Sequence, residues 1–461
     1  MTSALTSYEH PELMRNYYES GATRSYDFRK HQLQLLKAAI LKYENEIAKA
    51  LYSDLKKSPE EVYAMETGQV LAEINMALKK LHHWMKPDRT KINFLNFPSS
   101  GRIYHDPRGV VLIISPWNYP FYLLITPLVG AIAGGNCVVL KPSEIAPATS
   151  GIIKKIISEI FPAEYIRVYE GEGSVVAPAI IEEFRFDYIF YTGSIAVGKS
   201  IYQMAAKNLT PVTLELGGKS PAIIESDADI KTTVRRIAVG KFLNAGQTCV
   251  APDYLLIHAD IFENFIAQLK ETILKFFGED AKESYDYGRI INKKHFDTLV
   301  SYLGDGDVVA GGNYDSSSLY IEPTIIKNIS QDSPLMNEEI FGPILPVFAF
   351  TDMNKAMNII KKNENPLSFY VFTSDKKKEK TWLERVAFGG GCVNNTIYHL
   401  ANPYFPFGGI GNSGFGAYHG KYSFQTFTHA KPVLKTATWF DPSMKYPPLK
   451  GKLNLFRFFI K

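Results

Sequence analysis

Cysteine is scarce in this chain: Cys137, Cys249 and Cys392 are the whole complement in 461 residues, and no two of them form a CxxC pair. That argues against a disulfide framework and against a zinc site, so no metal is expected and a reduced cytoplasmic compartment fits. An excess of either charge is lacking too. With 51 basic against 47 acidic residues and a net charge of +4, nothing electrostatic suggests nucleic acid as a partner. The N-terminal MTSALTSYEHPELMRNYYES has no basic region followed by an apolar stretch, so no secretory leader is expected. Internal repeats and low-complexity tracts are also missing.

One long stretch, residues 109–140, lacks charge altogether and is long enough to cross a bilayer. Pro116, Pro120, Pro127, Gly134 and Gly135 interrupt it, however, and in lipid they would leave backbone groups unpaired. The segment reads instead as a buried strand over 110–114, a helix over 121–133 and a second strand over 137–141, as in a central parallel sheet. Ahead of it, apolar spacing predicts helices over 28–55 and 60–86, then an extended ribbon from Pro87. After it, strands and helices alternate: IRVYE, DYIFY, PAIIE and YLLIH each precede a helical pattern, and PILPVFAF, LSFYVF and CVNNT supply further strands. This alternation implies an α/β fold with open parallel sheets, in two or three domains at this length. The closing LNLFRFFIK is apolar and basic. It admits contact with a membrane surface, or docking on the body or a partner subunit, and the second is favoured.

Three segments carry chemistry. Cys249, in GKFLNAGQTCVAPDY, follows a helix beside the small residues Ala245 and Gly246, a setting suited to an accessible nucleophile rather than an inert core thiol. Cys137 and Cys392 have apolar or strand-like neighbours and take the core reading. Glu215, in TLELGGKSP, lies between two leucines, where burial raises a carboxyl pKa and suits a general base. The alternative there is a pair with Lys219. Asn118, in SPWNYPF, is either an oxyanion donor or the cap of the next helix. FYTGSIAVGK, a strand, a glycine turn and a helix, suits a pyrophosphate. GEGSVV fails the GxGxxG pattern. A literal match at Gly409, Gly411 and Gly414 has no strand–helix unit around it and is read as fortuitous.

In order along nearly the whole chain, SPWNYP, LKPSE, FYTGS, LELGGKSP, NAGQTCVAPDY, EEIFGP and PFGGIGNSG resemble the aldehyde dehydrogenase superfamily. ALYSDL, DYGRIIN and YHGKYSFQTFTH are similar to its class 3 branch, which includes fatty and aromatic aldehyde dehydrogenases. The resemblance implies a Rossmann-like cofactor domain (1–84 and 109–212), an α/β catalytic domain (213–395), a small β bridging element for oligomerisation (85–108 and 396–430) and a tail (431–461). It implies Cys249 as nucleophile, Glu215 as base, and Asn118 with the Cys249 N–H as oxyanion hole. Cofactor contacts would come from Trp117, Lys141, Glu144, Thr192, Gly193, Ser194, Val197, Gly198, Leu216, Gly217, Glu339 and Phe341. The expected activity is oxidation of medium- or long-chain aliphatic or aromatic aldehydes to acids, with isoprenoid or apocarotenoid aldehydes left open as substrates, NAD preferred and NADP accepted, in a homodimer. The chain departs from class 3 at Gly171–Glu172, where relatives carry a glycine pair. Two rivals are weaker. An acylating enzyme using coenzyme A has less need of a base like Glu215, and a retired scaffold has no reason to keep Cys249, Glu215 and Asn118 together.

Overall fold

Short apolar runs closed by glycine or proline turns give strands too brief to stand alone, and the computed structural model, which describes residues 10–460, gathers them into two mainly parallel sheets. The first nine residues, part of the segment read as lacking a leader, and Lys461 lie outside the described residues. One sheet runs Gly414–Phe415, Val212–Glu215, Tyr188–Thr192, Val110–Ile114, Cys137–Lys141, Ile166–Val168, and only its first pairing is antiparallel. The carboxyl ends of its four central strands therefore open on one edge. The other sheet runs Asp307–Ala310, Thr324–Lys327, Ile344–Phe350, Tyr254–His258, Pro221–Ile224, Ser368–Phe372, Gly390–Val393. Each sheet has its own apolar core.

The uncharged stretch is buried in protein rather than lipid. Strands Val110–Ile114 and Cys137–Lys141 flank the helix Tyr122–Gly134, and every residue of all three is buried. Among the described residues no helix is long and apolar enough to cross a membrane.

Elsewhere the helical spacing hid breaks. The 28–55 pattern is two helices, Tyr26–Lys42 and Glu44–Leu55, separated at Tyr43, whose ring is buried. The 60–86 pattern is a short helix Pro59–Val62, a π turn Tyr63–Thr67 and a helix Gly68–Trp84. Gly68 donates its N–H to the Tyr63 carbonyl, and a Cβ on Gly68 would lie 2.4 Å from that oxygen. The CVNNT strand ends early, at Val393, because Asn394 turns into the left-handed region (φ +55°). Strands Asp307–Ala310 and Thr324–Lys327 were not read from the sequence.

The ribbon from Pro87 becomes a three-stranded antiparallel sheet of Asp88–Thr90, Ser99–Pro107 and Thr428–Thr436. The expected boundary at residue 430 falls inside its last strand. Much of 396–430 lies elsewhere, with Ile397, Phe407, Tyr418, Phe424 and Phe427 packing into the first core. The tail helix Leu453–Phe459 docks by stacking Phe459 on Phe94 at 5.5 Å, while Phe458 and Ile460 face outward.

Candidate active site

Ligands of open parallel sheets bind in the crevice beyond the carboxyl ends of the strands. Here a cavity of about 270 Å³ lies at that edge, between the two sheets. The first half of the molecule supplies Trp117, Asn118, Thr192, Gly193, Ser194, Glu215, Leu216 and Gly217, and the second half Cys249, Glu339 and Phe341. Its remaining walls are mostly apolar: Met65, Tyr119, Tyr122, Leu123, Phe407 and Tyr418. Lys141, Glu144, Val197 and Gly198, grouped with these by sequence, do not line it.

Cys249 reaches the cavity from a constrained loop. After the helix Ile230–Phe242, Asn244 and Ala245 both take left-handed backbone (φ +52° and +50°). Such conformations persist only where the surroundings over-determine them. Glu61 accepts from the Asn244 N–H at 3.0 Å, the Asn244 amide donates to the carbonyls of Asn118 and Gln247 at 2.9 and 3.1 Å, and the Gln247 amide donates to the carbonyls of Asn244 and Arg289, both at 2.9 Å. The half-buried thiol is pushed up to about 12 by burial and then by the carboxyls of Glu339 and Glu215, against a pull from the Cys249 and Val250 N–H groups. Cys137 is fully buried, as its neighbours suggested. Cys392 is half-buried on an edge strand, its sulfur 3.6 Å from His399 Nδ1.

Glu215 ends its strand as a buried carboxyl, and among the described residues neither of its oxygens has a hydrogen-bond partner. Burial alone pushes its pKa well above the ordinary value for a glutamate. Lys219 does not relieve it. That lysine is bonded to Asp253 and to the carbonyls of Leu335 and Glu338. Asn118 is buried, lines the cavity and does not cap the following helix; its amide donates one N–H to the Gln247 carbonyl at 3.0 Å, and its Oδ1 has no partner among the described residues. A thiol, a buried carboxyl and an amide thus meet around one apolar cavity.

The residues along this edge fit a dinucleotide. Ser194 caps the helix Ile195–Ala206, whose N-terminus faces the strand ends. Thr192 Oγ1 is buried without a partner among the described residues. Gly217 is pressed against Glu339, since a Cβ there would lie 1.9 Å from Glu339 Oε2. Glu339 itself is raised to about 8, by burial first and by Asp253 second. Lys141 Nζ donates to Glu144 at 2.8 Å, and Glu144 also accepts from the Gly173 N–H at 2.9 Å. Burial raises the Glu144 pKa, but these bonds outweigh it and leave the group below its usual value. The departure at Gly171–Glu172 is harmless to this loop. Only Gly171 needs positive φ (+117°), whereas Glu172 sits at −62°, open to any residue, and accepts from the Ser174 hydroxyl at 2.6 Å.

Several contacts at the site join residues that the sequence did not connect. Phe341 has left-handed backbone (φ +52°), and His295 bonds its carbonyl at 2.9 Å with its ring near Trp117. Tyr119 bonds Thr248 Oγ1 at 2.7 Å, and Tyr122 bonds His419 Nε2 at 3.1 Å. Of these residues only His295 and Tyr122 lie outside the motifs quoted from the sequence, and Tyr122 stands in the uncharged stretch. No cluster of metal-ligating side chains occurs among the described residues.

The family model for aldehyde dehydrogenases matches residues 15–433. The 4,4'-diaponeurosporen-aldehyde dehydrogenase of Staphylococcus aureus is 45% identical over 447 residues, which is 96% of this chain and 97% of that protein. The mouse protein named aldehyde dehydrogenase, dimeric NADP-preferring, is 43% identical over 441 residues, or 95% and 97% of the two chains. A structure described as the substrate-bound state of Staphylococcus aureus AldH matches with a TM-score of 0.95 at 45% identity, over 98% of both chains.

Proposed function

Since this chain belongs to the aldehyde dehydrogenase family and oxidises aldehydes to carboxylic acids with NAD or NADP, we propose that Cys249 is its nucleophile, Glu215 its general base and Asn118 its oxyanion donor. The observation that carries this reading is the pairing, at one cavity, of the Cys249 thiol with a buried Glu215 carboxyl that has no competing partner among the described residues.

The reaction then follows from these groups. Cys249 Sγ loses its proton to solvent water and bonds to the aldehyde carbon, and the carbonyl oxygen becomes an oxyanion that accepts from Asn118 Nδ2 and the Cys249 N–H. When bound, the nicotinamide supplies the acceptor for the hydride that leaves that carbon. Lys141 and Glu144 would hold its adenine ribose, Gly193 and Ser194 the pyrophosphate, with Val197 and Gly198 in the helix turn behind them. Trp117, Leu216, Gly217, Glu339 and Phe341 would frame the ring. A thioester remains on Cys249. Glu215, as the carboxylate, takes a proton from water, the hydroxyl attacks the thioester carbon, the carbon–sulfur bond breaks to release the acid, and the proton on Glu215 passes to the leaving sulfur to restore the thiol.

The apolar, aromatic walls support medium- or long-chain aliphatic or aromatic aldehydes as substrates, and a polyene aldehyde of the kind named for the bacterial relative belongs to the same class. Purified protein with such an aldehyde and NAD, without coenzyme A, should form NADH, and Cys249→Ala should fall to the background rate while keeping its fold. Turnover by that variant, or a requirement for coenzyme A, would defeat the reading. A homodimer is proposed on the outward-facing strand Thr428–Thr436, eight of whose nine residues are exposed, with one relative named dimeric. Three unpaired cysteines support a cytoplasmic location, and the outward Phe458 and Ile460 leave peripheral membrane contact as a second proposal. Cell fractionation decides between soluble and membrane-bound protein.

A further inference from the structure

A buried ion pair stands behind the loop that carries Asn118. Lys57 Nζ lies 2.6 Å from Glu66 Oε1, and both side chains have no solvent exposure. Desolvation offsets much of the attraction in such a pair, and apolar replacements of similar volume are often no worse for stability. Stability therefore explains the pair poorly. Its other polar contacts go to one loop. Lys57 donates to the Asn118 carbonyl at 2.8 Å, and Glu66 Oε2 accepts from the N–H groups of Phe121 and Tyr122 at 3.0 and 3.2 Å. The Lys57 ammonium also sits 3.9 Å from the ring centre of Tyr119, whose hydroxyl bonds Thr248, the residue before Cys249.

Glu66 is placed by the π turn Tyr63–Thr67, which adds a residue to the helical path and so resets which side chains face inward. With that turn in place, Met65 lines the cavity and Glu66 reaches the backbone behind it. Single π turns within helices occur frequently at functional sites.

We propose that Lys57 and Glu66 are positioning residues for oxyanion stabilisation, clamping the 118–122 loop so that the Asn118 amide keeps its donor at the cavity. The inference rests on Asn118 being the oxyanion donor, and the test separates the two. Lys57→Met/Glu66→Gln removes both charges at similar volume. It is compared with wild type, with Asn118→Ala and with the triple variant, each checked for folding by its melting curve and for cofactor binding by protein fluorescence. Asn118→Ala should lower kcat about 10²–10³-fold, as loss of one oxyanion donor does. The pair replacement should lower kcat about 10–10²-fold with aldehyde KM nearly unchanged, yet cost less than about twofold more once Asn118 is alanine, because groups acting as a unit are not additive. Multiplying losses, or a paired variant with wild-type kcat, would overturn the clamp. Asn118→Ala with wild-type kcat would instead overturn the role of Asn118. Should the paired variant not fold, Lys57→Gln, which retains a donor but no charge, runs through the same cycle with the same two outcomes.

Discussion

Burial raises the pKa of both Glu215 and Cys249, and that sets how each responds to pH. A base must be deprotonated to act, so thioester hydrolysis should accelerate as pH rises through the elevated Glu215 pKa. In Glu215→Gln the alkaline rise should vanish and steady turnover fall roughly 10²–10⁴-fold. Rapid mixing should still show a first turnover of NADH and a trapped acyl-enzyme, and wild-type steady turnover would place the base elsewhere. The same residue costs stability. In the unfolded chain Glu215 ionises near pH 4.3, about the value for a free Glu; in the folded chain it stays neutral to higher pH. The wild type therefore loses stability as pH climbs from there to the folded pKa, while glutamine is spared. Melting temperatures of wild type and Glu215→Gln should converge near pH 4 and separate in the variant's favour at pH 8. For Cys249, a thiol near 12 means little thiolate in the cofactor-free protein at neutral pH. Its alkylation by iodoacetamide, followed by mass spectrometry, should rise about tenfold per pH unit from 7 to 10. A plateau by pH 8 would reveal a thiolate already present.

Secondary elements do their work here at their ends. Glu144 joins two of them, taking a hydrogen bond from Lys141 at a strand end and another from the Gly173 N–H at the start of the helix Gly173–Glu183. Held as a carboxylate, it suits a ribose with free hydroxyls. A 2′-phosphate would set charge against like charge unless Glu144 swings away, and its partly exposed side chain leaves room for that. Higher kcat/KM with NAD than with NADP is expected, with NADP usable. Glu144→Gln should narrow the gap about tenfold, on the order of 1.4 kcal/mol, the scale of one charge contact. A wild type that prefers NADP, as the mouse relative's name records for that enzyme, or an unmoved ratio, would refute this. The glycine loop at 409–414 is likewise explained by an edge. Gly414 pairs in register with Glu215, and a Cβ there would lie 1.9 Å from the Leu214 carbonyl. These glycines let a loop lie against the strand that ends at Glu215, so a match to the dinucleotide pattern arises without its function.

Over the whole molecule, two sheets with separate cores bring the cofactor edge and Cys249 to opposite sides of one cavity. The antiparallel sheet stands apart, with Thr428–Thr436 pairing along its full length to Ser99–Pro107 while its residues face outward. An exposed strand of nine residues is prone to pairing unless something covers it. Light scattering of the purified protein should give a particle of two chains, and a Val433→Asp/Leu434→Asp variant should shift it to one. A wild type that is monomeric at micromolar concentration would remove the dimer.

Much of the architecture is legible in the sequence alone. Strands 110–114 and 137–141 followed from uninterrupted apolar runs, because a strand buried on both faces needs no polar alternation. Cys249 was marked by small, flexible neighbours and Glu215 by its flanking leucines, whereas Asn118 stayed open between donor and helix cap, and the family motifs alone implied all three roles. The breaks at Tyr43 and Tyr63–Thr67 were not marked, since one inserted residue barely disturbs a helical pattern read over many. Nor could sequence choose partners. Lys219, four residues from Glu215, bonds Asp253 instead, and Lys57 bonds a loop 61 residues away. Spacing along the chain governs which face of a helix or strand is apolar, and the sequence determined that much alone. Which charges are neutralised, and which carboxyl is left buried and unpaired beside a thiol, depends on contacts between distant segments, and only the tertiary structure decided it.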